Sequence, residues 1–169
     1  MKEQLTVGSM FAGIGGICLA FRQNGCKIVW ANEIDKYACK TYRLNFGDEY
    51  LVEGDIQKLD TKNIPKFDIL TAGFPCQAFS SVGLLEGFND PRGNLFFETA
   101  RVINKIKPRV VFLENVANLV KHDEGRTFDV ILKTLGDLGY YTVYKVMNAK
   151  EYGNITSTKK QNIYSCIQI

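Results

Sequence analysis

The chain has 169 residues, of which 46% are hydrophobic and 23% charged, so it can bury a core but is too short for two full domains. A net charge of +3 permits a nucleic-acid partner without requiring one. The five cysteines form no Cys-x-x-Cys pair and His122 is the single histidine, which argues against a zinc site and against a disulfide framework.

Composition also bears on where the protein works. No segment reaches the ~20 apolar residues of a membrane span. Three glycines (Gly13, Gly15 and Gly16) interrupt the early stretch that superficially resembles a signal peptide. We therefore expect a soluble, cytoplasmic protein in a reducing compartment.

Strand-like and helix-like patterns alternate from the start of the chain, which predicts a parallel α/β sheet. Strands are predicted over residues 5–10, 27–32, 50–52, 67–72, 110–113, 141–147 and 162–169, and helices over 16–24, 36–45, 92–107 and 128–138. Pro108 ends the third helix and Gly139 is the expected cap of the fourth. We expect seven strands with helices on both faces, the last two strands forming an antiparallel edge.

The segment Phe11-Ala12-Gly13-Ile14-Gly15-Gly16 joins the first strand to the first helix, where nucleotide-binding turns lie. It lacks the full GxGxxG spacing, so on its own a tight turn is the simpler explanation. Glu33 follows about twenty residues later, where adenosine-binding folds hydrogen-bond the ribose hydroxyls. Glu33 could equally be a favourable charge near a helix N-terminus beside Asp35.

Gly54-Asp55-Ile56 repeats this arrangement after the third strand. Asp55 could accept a proton from an adenine amino group, and Ile56 could pack on the adenine face. Taken alone, Asp55 is more simply a turn residue.

Gly73-Phe74-Pro75-Cys76-Gln77 follows a buried strand that Gly73 and Pro75 end. Cys76 therefore lies at the mouth of a strand, where open α/β sheets place ligands. A deprotonated thiol there can attack an electron-poor carbon, although free cysteines are more often buried and inert. Glu114 closes the strand over residues 110–113 at the same sheet edge; an ordinary glutamate at a helix start is the alternative.

Six motifs occur in the order and approximate spacing of one family: FAGIGG (11–16), NEID (32–35), GDI (54–56), GFPCQ (73–77), RGNLF (92–96) and ENV (114–116). Over residues 5–155 the chain resembles the cytosine C5 DNA methyltransferases of bacterial restriction-modification systems. The resemblance implies a doubly wound, Rossmann-like, S-adenosylmethionine-dependent methyltransferase fold, with a mostly parallel sheet and an antiparallel edge.

The resemblance also implies site roles. The residues that would bind the methyl donor S-adenosylmethionine are Phe11, Gly13, Gly15, Gly16, Glu33, Ile34, Asp55, Ile56, Pro75 and Leu95. Cys76 would attack C6 of a cytosine flipped out of double-stranded DNA, and Glu114 would bind N3 and the exocyclic amine. A base inside a duplex cannot present C6 to a thiol, so it must leave the stack. Residues 77–91 would close over it as a loop, with Gln77, Ser80 and Arg92 near the DNA backbone and no metal involved.

After residue 155 the chain departs from the family pattern. Residues 1–155 are expected to be the catalytic domain, and 156–169 a divergent tail without the family's Pro-Gln and paired arginines. Codons permitted for this tail, shifted by one base, encode PQKSRIFIVVFK after one histidine, which suggests a frameshift; a naturally divergent tail is the alternative.

The family's target-recognition domain and returning C-terminal segment are also missing from this sequence. The chain could thus be the catalytic half of a split enzyme with a separately encoded recognition subunit, or a truncated inactive fragment that at most binds cofactor. A C5 methyltransferase acting on RNA is a less favoured third hypothesis. An exposed apolar flank is expected where the missing part would pack.

Overall fold

The computed structural model describes residues 3–74, 95–152 and 159–167, and of residues 149–150 and 159–167 it describes the backbone alone. The described strands are β1 (Thr6–Met10), β2 (Lys27–Glu33), β3 (Leu51–Glu53), β4 (Ile69–Ala72), β5 (Val110–Val116), β6 (Tyr140–Asn148) and β7 (Lys159–Ile167). They form a sheet in the order β3-β2-β1-β4-β5-β7-β6. The first five strands pair in parallel, and β7 pairs antiparallel with β5 and β6. Among the described residues, the predicted seven strands and the antiparallel edge are confirmed.

Helices cover both faces of the sheet, as predicted. They are α1 (Gly16–Gln23), α2 (Lys36–Phe46), α3 (Leu95–Ile106) and α4 (Arg126–Asp137), and short 3-10 turns span Ile56–Lys58, Thr61–Asn63, Ala117–Gly125 and Ala149–Tyr152. Alternate strand residues point to opposite faces, and a register shift at Val29 of β2 places Ile28 and Trp30 on opposite faces as well. On one face Val7, Ile28 and Ile69 pack with α1 and α2, whereas on the other Met10, Trp30 and Leu70 pack with α3 and α4.

Local chemistry explains where several elements begin and end. Asp35 caps α2, because its side chain accepts hydrogen bonds from the backbone N–H groups of Tyr37 (2.9 Å) and Ala38 (2.7 Å). Gly139 follows α4 with φ +90°, the left-handed conformation that commonly ends a helix. All four residues of the central strand β4 are buried, so its sequence is continuously apolar apart from Thr71.

Several predicted boundaries were wrong: β7 begins at Lys159 rather than at residue 162, and α4 begins at Arg126 rather than at residue 128. β5 continues three residues beyond Leu113, because its pairing with β7 runs from Val110 to Val116. Glu114 therefore lies inside a strand, and the alternative that it starts a helix is wrong. β4 begins at Ile69 rather than Phe67. None of the helices in the described residues has both the length and the apolar character needed to cross a membrane.

Candidate active site at the carboxyl edge of the sheet

The glycine turn after β1 exposes its backbone. Phe11, Gly13 and Gly15 all have positive φ, at 52°, 56° and 93°. A Cβ added to Gly13 or Gly16 would meet no atom within 4 Å, whereas one added to Gly15 would lie 2.3 Å from the ring of Phe46. Gly15 is therefore required by packing as well as by backbone conformation, while Gly13 and Gly16 leave space in which a ligand can approach the main chain.

Glu33 links this turn to the start of α2. Its Oε2 accepts a hydrogen bond from the N–H of Gly13 (2.8 Å), and its Oε1 accepts from the N–H groups of Ile34 (2.8 Å) and Asp35 (2.9 Å). Glu33 therefore lies both beside the glycine turn and near the start of α2, and its role in binding a ribose stays a prediction. Three bonds leave the carboxylate with acceptor capacity for about one more donor, such as a hydroxyl.

Asn32, which sequence reasoning did not single out, connects β2 to the turn that follows β3. Its side chain is buried, and Nδ2 donates to the carbonyl oxygens of Val52 (2.9 Å) and Gly54 (3.0 Å). The neighbouring N–H of Gly54 donates to the carbonyl of Glu33 at 2.8 Å. A polar residue inside an apolar strand was the sequence signal that could have identified Asn32.

Asp55 acts as a turn residue, as its alternative interpretation predicted. Oδ1 accepts from the N–H of Gln57 at 3.0 Å and so caps the 3-10 turn Ile56–Lys58. Within the described part of the chain, no hydrogen bond reaches its second carboxyl oxygen, which remains available to a ligand.

The apolar side chains expected around a cofactor differ in their exposure. Ile34 is 63% exposed beside Glu33, whereas Ile56 is only 3% exposed and packs in the hydrophobic core. Phe11 and Leu95 are partly buried against that same core cluster. In this conformation Ile34 offers a ligand a broad apolar surface and Ile56 offers almost none.

Glu114 lies against the end of β4. A Cβ added to Gly73 would be 3.3 Å from Oε2 of Glu114, a tight contact that would require the carboxylate to shift slightly. The next residue, Asn115, is buried and donates from Nδ2 to the carbonyl of Phe74 at 2.8 Å. The end of β5 is thereby tied to the backbone that leads into Cys76. The predictions for Pro75, Cys76, Gln77, Ser80 and Arg92 fall outside the described residues.

Strand order separates the two candidate carboxylates. Glu33 on β2 and Glu114 on β5 are three interstrand steps apart, which separates their backbones by roughly 14 Å. Across the ranges that are described, no group of three or more His, Cys, Asp or Glu residues is placed to hold a metal. A cleft of about 270 Å³, lined by Arg22, Cys26, Lys27 and neighbours, opens beside the amino end of β2 and so lies at the opposite edge.

The model of the C-5 cytosine-specific DNA methylase family matches residues 5–157. The chain belongs to this family. The resemblance inferred from the six motifs is thereby confirmed, and membership makes the carboxyl edge of the sheet, with its glycine turn and carboxylates, the candidate catalytic edge.

Individual relatives are similar over nearly the whole chain. It is 48% identical over 159 residues to the type II methyltransferase M.Bsp6I of Bacillus sp. (strain RFL6), covering 93% of this chain and 50% of that protein. It is 48% identical over 155 residues to M.HhaI of Haemophilus parahaemolyticus, covering 92% and 46%. With M.SsoII of Shigella sonnei it shares 52% over 145 residues, covering 85% and 38%. The chain spans about half the length of these relatives, or less.

Solved structures support the fold. The S. pombe Dnmt2 methyltransferase superposes with a TM-score of 0.80 at 22% identity, covering 99% of this chain and 51% of that one. A putative DNA modification methyltransferase encoded within an E. coli prophage gives 0.79 at 24% identity, covering 97% and 47%. At this identity the likeness concerns the Rossmann-like methyltransferase architecture alone.

Proposed function

We propose that this chain is the catalytic part of a DNA cytosine C5 methyltransferase, which transfers a methyl group from S-adenosylmethionine to C5 of a cytosine flipped out of duplex DNA. The observation that carries the proposal is the position of Glu114. In a chain of this family, its carboxylate lies against Gly73, three residues before the cysteine of GFPCQ. A carboxyl group and a thiol are the two groups that the reaction requires around the target base.

The positions of the other cysteines favour Cys76 as the nucleophile. Cys18 and Cys39 are buried, and burial raises the pKa of both thiols, which disfavours the thiolate. Cys26 precedes β2 at the amino edge of the sheet, and the backbone of Cys166 pairs with Val110 at the amino end of β5. In the sequence, Cys76 comes four residues after Ala72, where β4 ends at the carboxyl edge of the sheet.

The donors and acceptors at this edge suit S-adenosylmethionine. When bound, the cofactor supplies an electrophilic methyl group. The open backbone at Gly13 lets a ligand approach closely, Glu33 has capacity for a ribose hydroxyl, and the second oxygen of Asp55 can accept from an adenine amine. Ile34 offers an exposed apolar surface beside them.

The proposed chemistry proceeds through a covalent adduct with the base. The thiolate of Cys76 attacks C6, while Glu114 gives a proton to N3 and accepts a hydrogen bond from the exocyclic amine. Electron density then returns to C5, which takes the methyl group and leaves S-adenosylhomocysteine. Loss of the C5 proton to a base restores the double bond and expels the thiolate, and N3 returns its proton to Glu114. Gln77, Ser80 and Arg92 are proposed to lie near the DNA backbone during these steps.

The chain spans about half the length of its relatives. We propose that the remaining part, on the same polypeptide or a separate one, supplies target recognition and packs on this domain. The same length difference also favours the second candidate, an inactive fragment that at most binds cofactor.

A methylation assay tests both candidates. The 169-residue chain is incubated with tritiated S-adenosylmethionine and mixed-sequence duplex DNA. The incubation is done with and without the product of the gene next to its own, the candidate for a separately encoded recognition subunit. Transfer with that product, lost in Cys76→Ser and kept in the matched control Cys26→Ser, is the expected result. Transfer by the chain alone would refute the inactive fragment. No transfer with the added product would refute the split enzyme, and full activity of Cys76→Ser would refute the mechanism.

A further inference from the structure

Asn32 occupies the junction of the two turns at the carboxyl ends of β1 and β3. It is 2% exposed and lies on β2, which runs between those strands in the sheet. Its backbone carbonyl accepts a hydrogen bond from the N–H of Ala12 at 3.0 Å, in the glycine turn. Its side chain reaches the opposite way, to the carbonyls of Val52 and Gly54. One buried residue therefore contacts both turns.

The bond to Gly54 bears directly on Asp55. Gly54 has φ +153° and nothing within 4 Å of an added Cβ, so its peptide groups are held by the hydrogen bonds to Glu33 and Asn32 rather than by close packing at its Cα. The carbonyl that Asn32 holds belongs to the peptide group joining Gly54 to Asp55, and holding that group sets the direction in which the Asp55 side chain leaves the backbone. On the other side, Glu33 directly follows Asn32 and holds the N–H of Gly13.

Both hydrogens of the buried amide are used, one for each carbonyl. The bond to the Gly54 carbonyl is part-buried, so loss of this donor would remove one restraint on the orientation of the Gly54–Asp55 peptide. Both bonds run from Nδ2 of Asn32 to backbone oxygens, so this restraint on the turn involves no other side chain.

We propose that Asn32 is a positioning residue that sets the separation between Glu33 and Asp55, and with it the affinity for the adenosyl group of the cofactor. This inference rests on the proposed function, because it assumes that these two carboxylates bind the ribose and the adenine. Asn32 acts through Asp55 and does not touch the ligand.

A double-mutant cycle tests this coupling. Binding of S-adenosylhomocysteine is measured by isothermal titration calorimetry for wild type, Asn32→Ala, Asp55→Ala and the double variant. Each single substitution is expected to weaken binding by about tenfold, with unchanged stoichiometry per folded protein. The affinity of the double variant is expected to be at most about threefold below that of the weaker-binding single variant. The reason is that Asn32 acts through the group that Asp55→Ala removes.

The matched control is Tyr140→Phe. It also removes a buried hydrogen bond to a backbone carbonyl, from the Tyr140 hydroxyl to Pro108 at 2.7 Å, but at the amino end of β5. It should lower the thermal midpoint while changing the affinity less than about twofold. If Asn32→Ala fails to fold, Asn32→Ser replaces it with the same expectation.

The outcomes are distinguishable. Wild-type affinity in Asn32→Ala, or losses that multiply in the double variant, would overturn the positioning role while leaving the cofactor site intact. A wild-type chain that does not bind S-adenosylhomocysteine, alone or with its complementing part, would overturn the proposed cofactor site itself.

Discussion

Gly8 and Gly136 differ in the space available for a side chain. A Cβ on Gly8, in the middle of β1, would lie 2.2 Å from Cε1 of Phe67. That ring cannot easily move, because it is buried and stacks on Trp30 with 6.2 Å between centroids. Gly136 lies in α4, and nothing lies within 4 Å of an added Cβ. Gly8 is thus required by packing, and Gly136 is not.

Gly8→Ala is expected to lower the free energy of unfolding by about 1–3 kcal/mol, because the added methyl group overpacks a filled core. Gly136→Ala, the matched control, is expected to raise it by up to about 1 kcal/mol through the better helix propensity of alanine. Urea denaturation followed by circular dichroism measures both. Equal stabilities of Gly8→Ala and wild type would show that the Phe67 ring adjusts without strain.

At the scale of elements, Thr6 and Asp68 join the amino ends of β1 and β4. Oδ2 of Asp68 accepts hydrogen bonds from the Thr6 N–H (2.9 Å) and hydroxyl (2.8 Å). The backbone N–H of Thr6, then its hydroxyl, lower the pKa of Asp68, and Arg109 adds a smaller effect. The ionised carboxylate therefore helps to align two parallel strands that are separated by more than fifty residues of chain.

Asp68→Asn should lower the free energy of unfolding by about 1 kcal/mol near neutral pH, because it keeps the acceptor but loses the charge. The folded-state pKa lies below the ordinary 3.8, so this stabilisation is complete above 3.8 and is lost as the pH falls through the folded value. The difference from wild type should therefore shrink in acid. Chemical denaturation at several pH values measures it, with exposed Asp137→Asn as control; a difference that grows in acid would contradict the assignment.

At the scale of the whole molecule, one face of the antiparallel edge carries exposed apolar side chains. Phe112 on β5 packs edge-on against Phe21 of α1, with 5.7 Å between ring centroids. Pairing through the backbone of β7 places Tyr141 and Val143 on the same face as Val110 and Phe112. Tyr141 is 65% exposed and Val143 47% exposed. We propose this face as the one that the remaining half of the enzyme covers, since the relatives are about twice as long.

Replacing Tyr141 and Val143 by lysine is therefore expected to weaken association with the complementing part by about tenfold or more, because two charges would be buried in an apolar contact. The stability of the chain alone should change little, since both side chains are exposed. Pull-down titration and restored methyl transfer measure the effect. Leu44→Lys, at an 81% exposed position on α2, is the matched control. Equal losses in the control and the double variant would exclude this face as the contact.

Much of the architecture could be predicted because hydrophobic periodicity is a local property of the chain. Alternation of strand and helix patterns indicated seven strands and the parallel core. The boundaries of β4 and β5 were less accurate, because β5 is extended through Val116 by its pairing with β7, a partner distant in sequence. Pairing of this kind leaves no periodic signal within the strand itself.

The candidate site shows the same division. Glu33, Asp55 and Glu114 could be selected from the sequence, because each follows or ends an apolar strand within a recognisable motif. The contact of Gly73 with Glu114 and the two bonds of Asn32 could not, since both depend on which strands are neighbours and on their register. Contacts made to the backbone of another strand cannot be recognised from the residue types in the sequence.

The sequence by itself determined the family, the α/β class and the chemical groups available for catalysis, because motifs and periodicity are written locally along the chain. Only the tertiary structure decided that Asn32 joins two turns, that Phe67 excludes a side chain at Gly8, and that the face beside Tyr141 is left exposed. These features depend on the packing of strands brought together from distant positions. The order of the sheet, and not any single segment, sets the distances between them.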